Sequence, residues 1–174
     1  MTAKPAAALP RIEVVIESRR WAAWPEAEAI VRKAVRAAAR ATSSERTEVA
    51  ILLTHDSAMR KLNRQWRGFD KPTNVLSFPA GEIPVGKGSG DTSARNALRF
   101  VGDIVIACET SAREARAEGK PMHHHLSHLA VHGYLHLVGY DHEVDAEADA
   151  MEQLERRILA NLRVPDPYAL QVEG

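Results

Sequence analysis

Three histidines that lie close together in the chain have the spacing of a metal site. His132 and His136 are four residues apart, so on a helix they lie on one face, one turn apart. Gly139 follows where this helix is expected to end, because glycine is the usual residue in the left-handed conformation after a helix. The chain can then turn back and bring His142 toward the same point. Three converging imidazoles predict a catalytic site for one zinc ion (Zn2+), with the fourth position left for water.

The residues between these histidines differ from a protease at one informative position. The spacing H-x3-H-x5-H matches the HExxHxxGxxH signature of the metzincin proteases. A metzincin has its general base, a glutamate, directly after the first histidine, where this chain has Gly133. Asp141 and Glu109 are possible replacements, but the spacing supports neither, so the sequence identifies no general base. Ligation by nitrogen favours zinc or another late transition metal over magnesium or calcium. Because zinc lowers the pKa of a bound water to about 7, the motif predicts hydrolysis without the carboxylate of a protease.

The composition is that of a globular protein with balanced charge. The chain has 174 residues, of which 23 are basic and 23 acidic, and a single cysteine, Cys108. One cysteine cannot form an internal disulfide, no apolar run is long enough to cross a bilayer, and the first residues do not resemble a secretory signal, so we expect a cytoplasmic protein with no membrane partner. Zero net charge argues against a general nucleic-acid-binding protein. However, residues 56–71 carry five basic and two acidic side chains, so one face can still be basic.

The pattern of apolar residues predicts four strands and at least four helices, which indicates one compact layered α/β domain. The histidine motif lies in a predicted helix, 122–138, that is apolar nearly all round and is therefore expected to be buried. We expect a single domain at 11–164 between tails at 1–10 and 165–174, with a long glycine-rich, flexible loop at 81–94. The predicted strands are 11–17, 48–54, 75–78 and 101–107. The other predicted helices are 26–41, 109–118 and 145–162. A further helix is expected to be capped by Asp56 or Ser57 and to end before Gly68.

Several blocks of the sequence are similar to the YbeY family of bacterial endoribonucleases. HLAVHGYLHLVGYDH (128–142) resembles the zinc motif of the family, and LNRQWRGFDKPTNVLSFP (62–79) resembles its central block. VGDIVIA (101–107), AEADAMEQLE (146–155) and PDPY (165–168) also fit. The resemblance implies an α+β, zincin-like single domain with a small, mostly four-stranded mixed sheet and surrounding helices.

The resemblance also implies a function and a set of site residues. It implies a zinc-dependent endoribonuclease, specific for single-stranded RNA, that acts in 3′-end maturation of small-subunit (16S) rRNA and in ribosome quality control. The implied partners are this rRNA and the ribosome or its small-subunit proteins. The zinc ligands carry over to His132, His136 and His142, and the functionally important arginine of the family carries over to Arg67. A guanidinium can bind two phosphate oxygens at once, which suits charge stabilisation at an RNA phosphate.

The sequence leaves the roles of the neighbouring polar and aromatic residues open. His128 is expected to support a ligand or to satisfy a polar group in the core, and Asp141 either holds a ligand or the bound water or only shapes the turn. Trp66 and Phe69 are available for base stacking, although core packing is the expectation for both. A track that binds the RNA backbone can continue through Arg60, Lys61, Arg64 and Lys71, while Asn74, Ser77 and Asp103 are polar residues of the matched strands without an assigned role.

Two other functions are compatible with the same metal motif. A zinc peptidase keeps the three ligands but has to work without the glutamate that activates water. A non-catalytic ribosome-assembly factor uses zinc only to hold the fold and binds RNA through its basic face. A fourth protein ligand favours the assembly factor, whereas an open fourth position favours either enzyme.

Overall fold

The computed structural model describes residues 8–81 and 98–169 and has a four-stranded mixed sheet with helices on both faces. The predicted α+β fold class is confirmed. In chain order, the elements are β1 (Arg11–Ile16), a short 3-10 helix (Arg19–Ala23), α1 (Ala27–Ala41), β2 (Thr47–Thr54), α2 (Asp56–Arg67), β3 (Val75–Pro79), β4 (Arg99–Ala107), α3 (Cys108–Ala117), α4 (Met122–Leu137) and α5 (Asp145–Asn161).

The strands lie in the order β1-β2-β4-β3. The first three of these run parallel to one another, and β3 runs antiparallel to β4 at one edge of the sheet. Short β-branched and aliphatic runs such as VAILL in β2 suit the buried interior of a parallel sheet. The antiparallel strand β3 is therefore the element that presents a sheet edge next to α4, with which it is in contact.

Alternation along the strands divides the core between the two faces of the sheet. Val49, Ile51 and Leu53 of β2 belong to the larger cluster, which α1, α4 and α5 cover. On the other face, Val105 packs with Met59 of α2 in a smaller cluster. Because side chains of a strand point alternately to opposite faces, the two clusters follow from the period of two in these strands.

Helix α4 is the central helix of the larger face and is buried nearly all round, as the sequence predicts. Leu126 and Leu135 are fully buried between the sheet and the neighbouring helices. The helix ends at Leu137, Gly139 follows with a φ of +103°, and the Tyr140 N–H donates to the Leu135 carbonyl over 3.0 Å. This arrangement is a Schellman motif, and it reverses the chain where Gly139 predicts the end of the helix.

Some boundaries differ from the sequence predictions. Strand β4 begins at Arg99, two residues earlier than expected, and the 3-10 helix is not predicted. The predicted N-cap of α2 is wrong, because the His55 side chain, rather than that of Asp56 or Ser57, accepts the hydrogen bond from the Ala58 N–H. The loop predicted at 81–94 lies outside the described residues from 82 onward, as do residues 1–7 and 170–174 of the two predicted tails. In the described ranges, no helix is long and apolar enough to cross a membrane.

Candidate metal centre and its cleft

Helix α4 and the turn after it bring the three predicted histidine ligands together. One nitrogen of each of His132, His136 and His142 can be chosen so that all three lie within 4.8 Å of one another. The Nε2 atoms of His132 and His136 are 3.1 Å apart, as expected for residues one helical turn apart. His142 comes from beyond the Schellman turn, and its ring centroid lies 4.9 Å from that of His136. The turn at Gly139 therefore completes a cluster that the helix alone cannot form.

The donor set of this cluster fits zinc. Tetrahedral zinc with Zn–N bonds of about 2.0–2.1 Å holds its nitrogens roughly 3.3 Å apart, close to the separation of the two helical nitrogens. Burial, reinforced by the neighbouring His132 and His142, lowers the pKa of His136, so this ring is neutral at pH 7. A neutral ring presents a lone pair to a metal, as a histidine ligand must. The His142 side chain is 56% exposed, so the cluster faces solvent on this side.

A buried carboxylate on α5 holds the first histidine from behind. His132 Nδ1 lies 2.6 Å from Glu155 Oε1, and His128 Nε2 lies 3.0 Å from Glu155 Oε2. The Tyr168 hydroxyl donates to the same Oε2. Burial alone raises the pKa of Glu155, but the hydrogen bonds from His128, His132 and Tyr168 outweigh it and lower the pKa to about 2. The carboxylate is therefore ionised, and its contact with Nδ1 leaves His132 Nε2 as the nitrogen that faces the other histidines.

We expect Glu155→Gln to weaken zinc binding by about 10- to 100-fold, because the amide is a poorer acceptor for the His132 N–H and fixes the ring less firmly. Competition with a chromophoric chelator measures the affinity. Glu147→Gln, an exposed position on the same helix, is the matched control and is expected to bind zinc as the wild type does. Equal affinities of Glu155→Gln and the wild type would contradict this role.

Gly133 occupies the position of the protease glutamate, and the structure gives it a packing role. A Cβ atom there would lie 2.9 Å from Ile104 Cγ2 and 3.2 Å from Ser77 Oγ. The Ser77 hydroxyl in turn donates to the Gly133 carbonyl over 3.0 Å. Helix α4 therefore lies so close to β3 and β4 that a glutamate side chain has no room without a shift of the core.

A cleft of about 740 Å³ opens beside the histidines, and Arg67 lies on its wall. Arg67 Nη2 donates to the Ser77 carbonyl over 2.9 Å, and the guanidinium lies 5.2 Å from the centre of the Phe78 ring. Both contacts direct the end of α2 toward β3. The structure thus brings Arg67 into the same cleft as the three histidines, together with His128, Asp141 and Tyr168.

The family model for endoribonuclease YbeY matches residues 15–163. The chain belongs to this family. Similar YbeY-family proteins include one from Rhodopseudomonas palustris strain BisA53, 57% identical over 93% of this chain and 92% of its own length. Another, from Nitrobacter hamburgensis, is 55% identical over 94% of this chain and 85% of its own length. The family membership predicted from the sequence blocks is thereby confirmed.

A solved structure supports the fold of this YbeY-family chain. The solution structure of TM1509 from Thermotoga maritima is similar with a TM-score of 0.51, covering 94% of this chain and 99% of its own. The two sequences are 21% identical, so the likeness concerns the fold alone. It agrees with a domain in which a small mixed sheet and its helices extend over nearly the whole chain.

The structure also places the other residues that the sequence of this YbeY-family chain singles out. Phe69 is 58% exposed, so the expectation of core packing is wrong for it, while Trp66 is 36% exposed and contacts Phe78 edge-on. The Asp141 carboxylate accepts from the His142 N–H over 2.7 Å, as the turn-shaping alternative expects, and it also lies 3.6 Å from His142 Nδ1, as the ligand-holding alternative expects. Glu109 does not line the cleft among the described residues and instead accepts from the Asp56 N–H.

Sequence reasoning missed Glu155 and Tyr168 as members of the site. Glu155 is one of several acidic residues in a surface-like helical pattern, and only its position between buried Leu154 and Ile158 signals that it faces inward. Tyr168 lies in the predicted C-terminal tail, yet its hydroxyl reaches Glu155 and its ring contacts His128. The buried contact of His128 confirms neither a ligand nor a catalytic role, but it places this side chain behind His132.

Proposed function

We propose that this chain is a zinc-dependent endoribonuclease that cleaves single-stranded RNA in 3′-end maturation of small-subunit (16S) rRNA and in ribosome quality control. The observation that carries the proposal is the cleft that holds His132, His136, His142 and Arg67 together. The relatives, named Endoribonuclease YbeY, support RNA as the substrate. The ribosome or its small-subunit proteins are the proposed partners, and the single buried thiol of Cys108 supports action in the reducing cytoplasm.

The chain's own residues suit hydrolysis of a phosphodiester. Zinc, when held by the three histidines, supplies a Lewis acid that polarises a phosphoryl oxygen or a water molecule. Arg67 adds positive charge in the same cleft, where charge develops on the phosphate oxygens. Glu155 keeps His132 in one orientation, so the metal site does not have to reorganise during the reaction.

The surface beyond Arg67 suits a single strand. Phe69 presents an exposed ring for base stacking, and the Lys71 ammonium lies 5.8 Å from the centre of that ring. Arg60 contributes less than the sequence predicts, because Asp70 already binds its guanidinium through contacts of 2.8 and 3.0 Å. We therefore propose that the backbone-binding track runs from Arg67 toward Phe69 and Lys71, with Lys61 and Arg64 exposed beside it.

The test of this function compares substrates on purified, zinc-loaded protein. A labelled single-stranded RNA is expected to be cut internally, much faster than the same sequence in a duplex, and an unstructured peptide substrate is expected to stay intact. Cleavage of the peptide would favour the peptidase. Tight RNA binding without any cleavage would instead favour the non-catalytic ribosome-assembly factor.

A further inference from the structure

Strand β3 turns one hydrogen-bonding edge toward the cleft. In an antiparallel pair, successive residues point their N–H and C=O groups alternately toward the partner strand and away from it. The Asn74 carbonyl accepts from the Ala107 N–H, and the Ala80 N–H donates to the Val101 carbonyl, over 2.9 Å each. These two hydrogen bonds to β4 fix which of the residues between Asn74 and Ala80 point toward β4 and which point away. Val75, Ser77 and Pro79 therefore direct their backbone groups outward, and all three line the cleft.

Two of the three N–H positions on this outward edge, and the carbonyl of Ser77, cannot take a further partner. The Val75 N–H donates to the Asn74 Oδ1 over 2.6 Å, and Pro79 has no N–H. The Ser77 carbonyl accepts from Arg67 Nη2. The outward donor left on β3 is the Ser77 N–H, from which no residue within 8–81 or 98–169 accepts a hydrogen bond.

At Ser77 these contacts leave a backbone donor beside a positive charge, whereas the outward carbonyls of Val75 and Pro79 remain acceptors on either side of it. An extended peptide that adds to a sheet edge needs alternating donors and acceptors along several residues. Here the acceptor of Ser77 is covered by a guanidinium, so the backbone N–H and the positive charge of Arg67 lie side by side. Such a pair of donors suits an anion with oxygens on one face, such as a phosphate.

We propose that the Ser77 N–H and the Arg67 guanidinium together bind a non-bridging phosphate oxygen of the RNA beside the metal histidines. The inference rests on the proposed ribonuclease function and makes Ser77 a binding residue through its backbone. The hydroxyl of Ser77 holds the strand against the Gly133 carbonyl, next to His132, so the edge is fixed beside the metal centre. This pairing of a backbone donor with a guanidinium favours an anionic phosphodiester over a neutral peptide.

Ser77→Pro tests the proposal, because it removes the N–H at an edge position that proline tolerates. Its reference is Ser77→Ala, which loses the same hydroxyl but keeps the N–H. We expect kcat/KM for RNA to be about 10- to 100-fold lower in Ser77→Pro than in Ser77→Ala, the effect of one hydrogen bond to a charged group. Val75→Pro, which places a proline ring on the same edge of β3, is expected to lose less activity than Ser77→Pro. Equal activities of the two Ser77 variants, both with bound zinc, would overturn the proposal.

Nuclear magnetic resonance keeps the proposal testable if Ser77→Pro does not fold. The Ser77 amide signal of the nitrogen-15-labelled, zinc-loaded wild type is expected to shift when a cleavage-resistant oligonucleotide with 2′-O-methyl and phosphorothioate groups is added. A fixed Ser77 signal, while signals of other cleft residues shift, would refute the Ser77 contact alone. A wild type that neither binds nor cuts RNA would instead refute the proposed function.

Discussion

His136→Ala is expected to abolish zinc binding and RNA cleavage together. This residue supplies one of the two nitrogens that a single helical turn sets 3.1 Å apart, and no other histidine of the cleft can replace it from the same turn. Loss of one of three protein ligands leaves too few donors to hold a catalytic zinc. Metal content by mass spectrometry and cleavage of a single-stranded RNA measure the two effects.

His123→Ala is the matched control for this change, because His123 is exposed at the start of the same helix and does not line the cleft. We expect it to keep both zinc and activity. A chelator is expected to stop the wild type, and added zinc is expected to restore it. If purified wild type and His136→Ala degraded RNA equally, the activity would come from a contaminant.

Arg67→Ala is expected to lower kcat/KM for RNA by about 100- to 1,000-fold while zinc stays bound. The guanidinium lies on the cleft wall, and within the described residues no hydrogen bond or ion pair joins it to the three histidines, so we expect its loss to affect the phosphate rather than the metal. The change also removes its contacts with Phe78 and the Ser77 carbonyl, which contribute about 1 kcal/mol to folding. Cleavage kinetics, zinc content and thermal unfolding on the same sample separate these effects.

Arg36→Ala removes the same charge from an exposed position on α1, outside the cleft, and is expected to leave cleavage near the wild-type rate. Arg67→Lys is expected to fall between the wild type and Arg67→Ala, because an ammonium keeps the charge but not the paired donors. Loss of zinc along with activity in Arg67→Ala would mean that Arg67 supports the fold instead of the phosphate.

The histidine cluster could be predicted because its geometry is local. The separation of His132 and His136 and the turn at Gly139 are properties of one helix and its end, and a short segment then reaches His142. The fold class could be predicted for a related reason, since strand and helix periods are also local. Glu155 could not, because its contact with His132 depends on how α5 packs against α4, 23 residues away in the sequence.

The outward direction of the Ser77 N–H likewise could not be predicted from the sequence. A run of residues such as VLSFP predicts a strand but says nothing about its neighbours or about which edge stays unpaired. The order β1-β2-β4-β3 decides that β3 lies at the edge, and the register with β4 decides that Ser77, rather than Leu76, points outward. Strand order and register depend on pairing between strands that are far apart in the sequence, and the spacing of apolar residues within one strand does not specify them.

Gly133 makes the substrate chemistry inseparable from the packing of the core. A mutational route that installs the missing glutamate in a single step places a side chain against Ile104, 2.9 Å from where its first carbon would lie. The first step therefore loses stability before any new reaction can be selected, and a smaller residue at position 104 has to come with it. In this chain, the step from a nuclease to a peptidase at Gly133 consequently meets an epistatic barrier, because the glutamate requires a second, compensating change.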